Sequence, residues 1–298
     1  ASTMRISVNY DFERRVGLFP AGFDKGGVLY CNQNFADYPH TIPAGKFDAA
    51  SQQPEWMLLS YKKPVTASST AEGSSPALTV NEDCRSWWSA AGTEPGEWLC
   101  VDLGKESDIR AIQVNMADEK LVVDFPADSY GDTRKTRHIE TRPQISHYTV
   151  ETSVTGADWT TRETVARECS NGYYEYADGI RARYVRVTGG ELPYGQPLRI
   201  SGLRVFGNGE GAKPAQAEAA GARVDALDAT ITWKHIENAQ GCNVRYGVAP
   251  DKLYLSWLVY DTDEVTLSTL TAGQEYYICV DSFNENGITP GKTFKLEG

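Results

Sequence analysis

What the chain has little of already narrows its chemistry. It has no apolar run of about eighteen residues, the length that marks a membrane-spanning helix. No two of its six cysteines, Cys31, Cys84, Cys100, Cys169, Cys242 and Cys279, are close enough for a CxxC metal pair. A structural zinc site is therefore not expected, and the spacing gives no disulfide framework, so free structural thiols are. Basic charge is short, with 29 Lys and Arg against 40 Asp and Glu and a net charge of −11. That argues against bulk attraction to nucleic acid or anionic lipid, and leaves a neutral ligand such as a sugar open. GxSxG and P-loop patterns are absent, and the four histidines, His40, His138, His147 and His235, are scattered. His147 and His235 lie in or beside strand patterns and read as core-edge residues. Ala1–Tyr10 lacks the basic-then-apolar order of a secretion signal.

What is present favours strands. Val, Ile, Tyr, Trp and Thr are plentiful, and 298 residues leave room for two domains. Trp87–Gly104, WWSAAGTEPGEWLCVDLG, carries three tryptophans. Leu99, Val101 and Leu103 recur every second residue, the spacing of a strand with one buried face. Gly92, Pro95 and Gly96 mark the turn before it. Ile109–Asn115, with one irregularity, and Arg181–Thr188 alternate similarly, while Tyr148–Ser153 and Ile200–Gly207 read as further strands. Before this block, residues 1–50 hold about three short strands: Met4–Tyr10, Arg14–Pro20 and, after the turn DKGG at Asp24–Gly27, Val28–Cys31. That is too little to bury a core alone, so the segment must lean on something else. Lys46–Tyr61 reads as a joining segment, with Trp56, Met57, Leu58 and Leu59 as an apolar patch. Gly209–Ala222, rich in Gly, Ala and Pro, reads as a linker running into a strand. After it, Ile231 and Trp233 alternate, as do Cys242, Val244 and Tyr246, and Ile278, Val280 and Ser282 share a face.

Three resemblances organise these pieces. VGLFPAGFDKGGVLYCNQNFADYPH, Val16–His40, resembles the closing blade of the catalytic propeller in modular family 43 glycoside hydrolases. The propeller's catalytic carboxylates would lie in earlier blades, so no catalytic residue is expected here. Asp24, Asp37 and His40 read as turn and loop residues, without the fixed carboxylate separation that glycoside hydrolysis needs. KPVTASS (Lys63–Ser69), GEWLCVDLG (Gly96–Gly104), the GADW turn, RARYVRVT (Arg181–Thr188) and ISGLRVFG (Ile200–Gly207) together resemble the discoidin, or coagulation-factor C-type, domain. Its sugar-binding bacterial form is the family 32 type of carbohydrate-binding module. Residues 214–298 resemble a fibronectin type III domain, with Trp233 as its core tryptophan and Tyr276 as its tyrosine corner. In that alignment Cys242 points inward and Cys279 outward, so the two are not expected to bond.

The resemblances imply an all-β chain: a short β remnant (1–50), a discoidin jelly-roll sandwich (61–208) with ligand loops at one end, and an immunoglobulin-like fibronectin type III sandwich (214–298). A sugar site needs an aromatic face and polar groups on rigidly held loops. The long segment Asp118–Arg142 offers Lys120, Phe125, Tyr130, Asp132, Arg134, Arg137, His138 and Arg142. Tyr130, Arg134, Arg137 and His138 are the candidates there, with Trp159 in GADW and Tyr194 between Pro193 and Pro197. Trp87, Trp88 and Trp98 match core and loop-anchoring positions instead. The family often holds a structural calcium beside this domain's tryptophan loop. Asn81, Asp83 and Ser86 could supply loop oxygens, but Gly202 stands where the family's final-strand glutamate would be. The implied function is a non-catalytic, carbohydrate-binding accessory region of a secreted, periplasmic or cell-surface glycoside hydrolase. Its partners would be an oligo- or polysaccharide and the catalytic propeller of the same polypeptide. Two other readings are spacer modules that orient the propeller, and an adhesion module for protein or lipid, with Phe125 as an apolar tip.

Overall fold

The computed structural model describes residues 19–117, 143–168 and 171–297, and nearly all of its regular structure is strand. Two compact units emerge: Leu59–Gly207 form one, and residues 19–58 join those from Asn208 onward in the other.

The segment before Leu59 is built on one hairpin, β1 (Ala21–Phe23) and β2 (Leu29–Cys31), with Phe23 opposite Leu29. The DKGG turn joins them. Asp24 Oδ1 accepts from Gly26 N and Val28 N, and Gly27 takes φ 75°, a value that favours glycine. The strands expected at Met4–Tyr10 and over most of Arg14–Pro20 lie outside the described residues. The stretch read as a joining segment is folded. Asp48 caps a 3₁₀ turn at Ala49–Ser51, and Asn32 Nδ2 donates to Ala49 O and Gln52 O. A two-residue strand, β3 (Met57–Leu58), ends this part.

The unit from Leu59 to Gly207 contains β4 (Val65–Ala67), β5 (Trp88–Ser89), β6 (Trp98–Met116), β7 (Ser146–Ser153), β8 (Thr160–Arg167), β9 (Gly172–Gly189) and β10 (Arg199–Asn208). Strand order is β10-β6-β9-β7-β8, with β4 added to β6 and β5 to β10. GEWLCVDLG and IRAIQVN are one strand. Register shifts between Asp102 and Ser107, and between Ile109 and Ala111, let β6 bend against β9. Gly104 sits in the first shift at φ 84°, and Gly179 of β9, at φ 72°, lies where a Cβ would come 2.4 Å from Asp108 Oδ1. The core joins Leu99, Val101, Ile112, Val187, Ile200 and Leu203 around fully buried Trp88. Of the three tryptophans only Trp88 is core; Trp87 and Trp98 are half-buried. Trp88 also donates from Nε1 to Ser69 O and Thr70 Oγ1, both at 3.2 Å, so it holds a loop as well.

The last part has β11 (Ala219–Arg223), β12 (Ala229–Trp233), β13 (Gly241–Gly247), β14 (Leu255–Tyr260), β15 (Glu264–Leu267), β16 (Tyr277–Asn284), β17 (Gly287–Thr289) and β18 (Phe294–Lys295). One sheet runs β11-β12-β15 and the other β14-β13-β16-β17, with β18 on β16. Trp233, Ile231, Val244, Ile278 and Val280 pack between them. Tyr276 is buried, and its hydroxyl accepts from Thr271 N at 3.2 Å.

The composition of Gly209–Ala222 suggests a linker, but its first ten residues are stitched to β16 and β17. Asn286 Oδ1 accepts from Gly211 N, Asn284 Nδ2 donates to Ala212 O, Thr289 Oγ1 to Pro214 O and Ser282 Oγ to Ala215 O. Small residues permit the close approach, and distant polar side chains satisfy a backbone that would otherwise need water.

The N-terminal segment covers the outer face of β13 and β16. Phe283 is fully buried, with Phe35 at 5.1 Å and Tyr260 at 5.4 Å between ring centroids, both edge-on. Tyr38 Oη meets Tyr260 Oη at 2.8 Å, Tyr30 stacks on Tyr254 at 4.5 Å, and Asn243 Nδ2 donates to Asn34 Oδ1. Asp24 joins Lys252 at 2.8 Å and accepts from Tyr254 Oη at 3.0 Å. Lys252, with help from the backbone and Tyr254, holds the Asp24 carboxyl well below the usual aspartate range. His40 bonds Phe35 O through Nε2. Asp24 and His40 thus serve turn and packing, as the sequence suggests.

Candidate functional site

One end of the central sandwich gathers several loops. Ser68 N donates to Trp98 O, Ala71 N to Ser89 O, and Ala90 N to Leu198 O. Gly96 N donates to Gly189 O, His147 N to Glu191 O, and Ala117 N to Arg199 O. These bonds bring together residues 68–75, 90–97 and 190–198, the end of β6 and the start of β7. The loops are held by short polar side chains on strand ends. Glu97 accepts from Ser69 Oγ at 2.8 Å and also from Ser68 Oγ, while Ser68 Oγ accepts from Trp98 N and Ser69 Oγ from Ala91 N. Backbone proximity of this kind cannot be read from a local pattern, which is why the Ser68–Ser69–Glu97 clamp is invisible in the sequence.

Tyr194 lies on this end, half-buried, in a 3₁₀ turn at Pro193–Gly195. Its φ of 62° is a left-handed conformation that costs a non-glycine residue on the order of 1–3 kcal/mol and is retained where surroundings enforce it. His147, whose N donates to Glu191 O, is exposed, and His235 is 80% exposed in the other unit. Neither is the core-edge residue that the sequence suggests. Their strands place them at element ends, where alternation no longer implies burial.

Trp159 is elsewhere. β7 runs from His147 at the loop end to Ser153, opposite Tyr184, at the other end, and Trp159 follows the turn there. Its ring is occupied: the Arg186 guanidinium lies 3.9 Å from the ring centroid. Arg186 in turn donates to Glu151 at 2.8 Å, and Thr188 does likewise. Burial alone would raise the Glu151 carboxyl, and these hydrogen bonds outweigh it, leaving its pKa below the ordinary value. Trp159 is therefore a packing residue over an ion pair, and it and Tyr194 do not share a site. Tyr130, Arg134, Arg137 and His138 lie outside the described residues, as do Lys120, Phe125, Asp132 and Arg142.

The residues proposed for calcium do not fit it. Calcium takes six to eight oxygens at about 2.3–2.6 Å. Asn81 Oδ1 accepts from Asp83 N, Asn81 Nδ2 donates to Ser86 Oγ, and Ser86 Oγ donates to Asp83 O. Asp83 faces Arg85, whose backbone and guanidinium hold its carboxyl below the usual range. At Gly202 a Cβ would come 2.9 Å from Asn115 Nδ2, so Asn115 occupies the place a longer side chain would need. Asn115 Oδ1 is a buried oxygen without a partner, but one neutral oxygen does not make a calcium site. Among the described residues no group of three or more His, Cys, Asp or Glu could hold a metal.

Among the described residues, three thiols are buried: Cys100, Cys242 and Cys279. The five described cysteines are free. Burial pushes Cys100 and Cys242 up to about 12 and Cys279 up to about 11, so they stay protonated at neutral pH. Cys242 belongs to the core between the sheets. Cys279 lies on the opposite face of its sheet, yet it is only 1% exposed; its Sγ accepts from Arg245 Nη2 and donates to Asp281 Oδ1. Among the described residues, the loop end offers hydroxyl, carboxylate and amide groups with the Tyr194 ring, a set suited to hydrogen-bonding polyols.

Residues 78–187 match the family model of the NedA-like, galactose-binding domain of the F5/F8 type C group. Among solved structures, the chain is similar to chitosan-binding module 1 of a chitosanase/glucanase from Paenibacillus sp. IK-5, at 20% identity, covering 51% of this chain and 99% of that one with a TM-score of 0.39. A fucose-binding module of Streptococcus pneumoniae is 18% identical over 54% of this chain and 99% of its own, with a TM-score of 0.37. The CBM32 module of AlyQ in complex with 4,5-unsaturated mannuronic acid is 19% identical over 50% and 98%, with the same TM-score of 0.37. No curated protein matches the chain. Residues 78–187 of the central sandwich are thus similar to the NedA-like, galactose-binding domain.

Proposed function

We propose that the loop end of the central sandwich binds a neutral oligo- or polysaccharide, without catalysis, and that the chain is an accessory region of a secreted glycoside hydrolase. The observation that carries this is the family-model match at 78–187, which spans β5 to β9 of the sandwich. The strained Tyr194 at the rim supports the choice of end. The net charge of −11 disfavours polyanions and favours neutral glycans. The last sandwich is read as fibronectin type III-like, on its three- and five-strand sheets, Trp233 and the Tyr276–Thr271 bond. The hydrolase context rests on the resemblance of Val16–His40 to a closing propeller blade. Phe23 and Leu29, cross-strand partners 72% and 64% exposed, form an apolar surface suited to a further sheet.

Calorimetry and affinity gels with xylan, arabinan, galactan and host-type glycans test the binding. Saturable binding to one class is expected, and silence across all four overturns it. A second reading has the last sandwich as a structural platform, favoured by its coverage with residues 19–58 and 209–218. It predicts full sugar binding by a chain from which that sandwich's exposed surface residues have been altered.

A further inference from the structure

The loop between the 3₁₀ turn Pro76–Val80 and β5 carries one acid that is not spent on its own loop. Glu82 takes φ 62°, and its carboxylate is only 7% exposed. It meets Arg204 of β10, also 7% exposed, at two points: Nε to Oε1 at 3.1 Å and Nη2 to Oε2 at 2.9 Å. Arg204 Nη1 donates to Gln113 Oε1 of β6 at 3.0 Å, and the guanidinium lies 4.8 Å from the Phe206 ring centroid. A planar fork bound by carboxylate, amide and ring is the geometry in which arginine excels and a lysine would not.

We infer that Arg204 is the cation that pins the Asn81–Trp87 loop to the sheet, and that the central sandwich closes this loop without any divalent metal. A buried carboxylate requires a counter-charge. Arg204 supplies it from two residues beyond Gly202, the strand position where a metal-binding acid would be needed. Asn81, Asp83 and Ser86 are turned to one another and to Arg85 rather than to an ion. The loop is locked by a fixed charge of the chain, so chelation leaves it closed. This inference stands whether or not the loop end binds sugar.

The test uses the full chain. Thermal unfolding and the rate of trypsin cleavage after Arg85, whose side chain is 81% exposed, are measured with millimolar calcium chloride and with EDTA. Neither is expected to change the melting temperature or the cleavage rate. E82Q and R204M each leave one buried charged group without its partner and are expected to speed cleavage at least tenfold. The double variant removes both charges and recovers part of that loss. A calcium-dependent rise in melting temperature, or slower cleavage with calcium, overturns the inference; so do single and double variants whose effects simply add. Where a single variant fails to fold, the calcium and EDTA comparison on the unaltered chain decides.

Discussion

Both sandwiches cover an outer sheet face, but with different polypeptide. In the central one, the nearby loop Asn81–Trp87 reaches onto β6 and β10 and is met by Arg204. In the last one, residues from the far end of the sequence cover β13 and β16, and the charge there is settled within the sheet. Asp281 takes the Arg245 guanidinium through both oxygens, one contact at 2.9 Å, and also accepts from Gly291 N. The difference teaches where cooperativity should lie. The local loop is held at one buried ion pair, so its attachment depends on Glu82 and Arg204. A segment that buries Phe35, Tyr38 and Phe283 together should leave only when that sandwich loosens.

The largest expected effect tests that contrast. Phe283→Ala removes the ring at the centre of the covered face and should cost about 3–5 kcal/mol. Limited proteolysis should then cut within residues 30–58. Trp88→Ala should cost a similar amount, about 3–5 kcal/mol, in the central sandwich, yet leave that cleavage unchanged. Equal cleavage in both variants would erase the distinction between the two coverings.

Next comes Asp281→Asn, which leaves Arg245 facing a neutral amide on a largely buried surface. A loss of about 3 kcal/mol in chemical unfolding is expected; a loss below about 1 kcal/mol would show the pair to be solvent-screened. Tyr276→Phe removes only the bond to Thr271 N and should cost about 1 kcal/mol, read as a small shift in the denaturant midpoint.

The smallest effect concerns Asp24. Its native pKa lies below the ordinary 3.8, so its clip to Lys252 and Tyr254 is fully present above that value. The contribution is lost as pH falls from there through the lowered native pKa. Asp24→Asn should therefore weaken protection of the hairpin amides at pH 6, and the difference from the unaltered chain should shrink below pH 3. A difference that grew towards acid would reverse the sign.

Much of the fold was legible where one face of a strand is buried. Leu99–Val101–Leu103 and Cys242–Val244–Tyr246 alternate because these side chains share the face turned to the core between sheets, and in β13 the alternation persists although the N-terminal segment covers the other face too. β8 was not, since seven of its eight residues are exposed or half-exposed. Nor was β14, an edge strand whose Trp257 is 47% exposed and whose apolar residues face both ways. Gly209–Glu218 misled because composition reports flexibility in isolation, while Asn284 and Asn286, some seventy residues on, supply its hydrogen bonds. The candidate site was less legible still. Trp159 looks available until Arg186 is seen on its ring. Glu82 looks like a solvated loop charge because Arg204 is 122 residues away. Tyr194 was found only as an aromatic between prolines; its strained backbone is a property of the fold.

The central claim, that the loop end binds sugar, is tested most directly by backbone-amide titration of the full chain with the glycan that calorimetry selects. Shifts are expected in residues 68–75, 90–97 and 190–198, weakened at least tenfold in affinity by Tyr194→Ala and unchanged by Trp159→Phe. Shifts confined to residues 153–159, or affinity that Tyr194→Ala leaves intact, would contradict it.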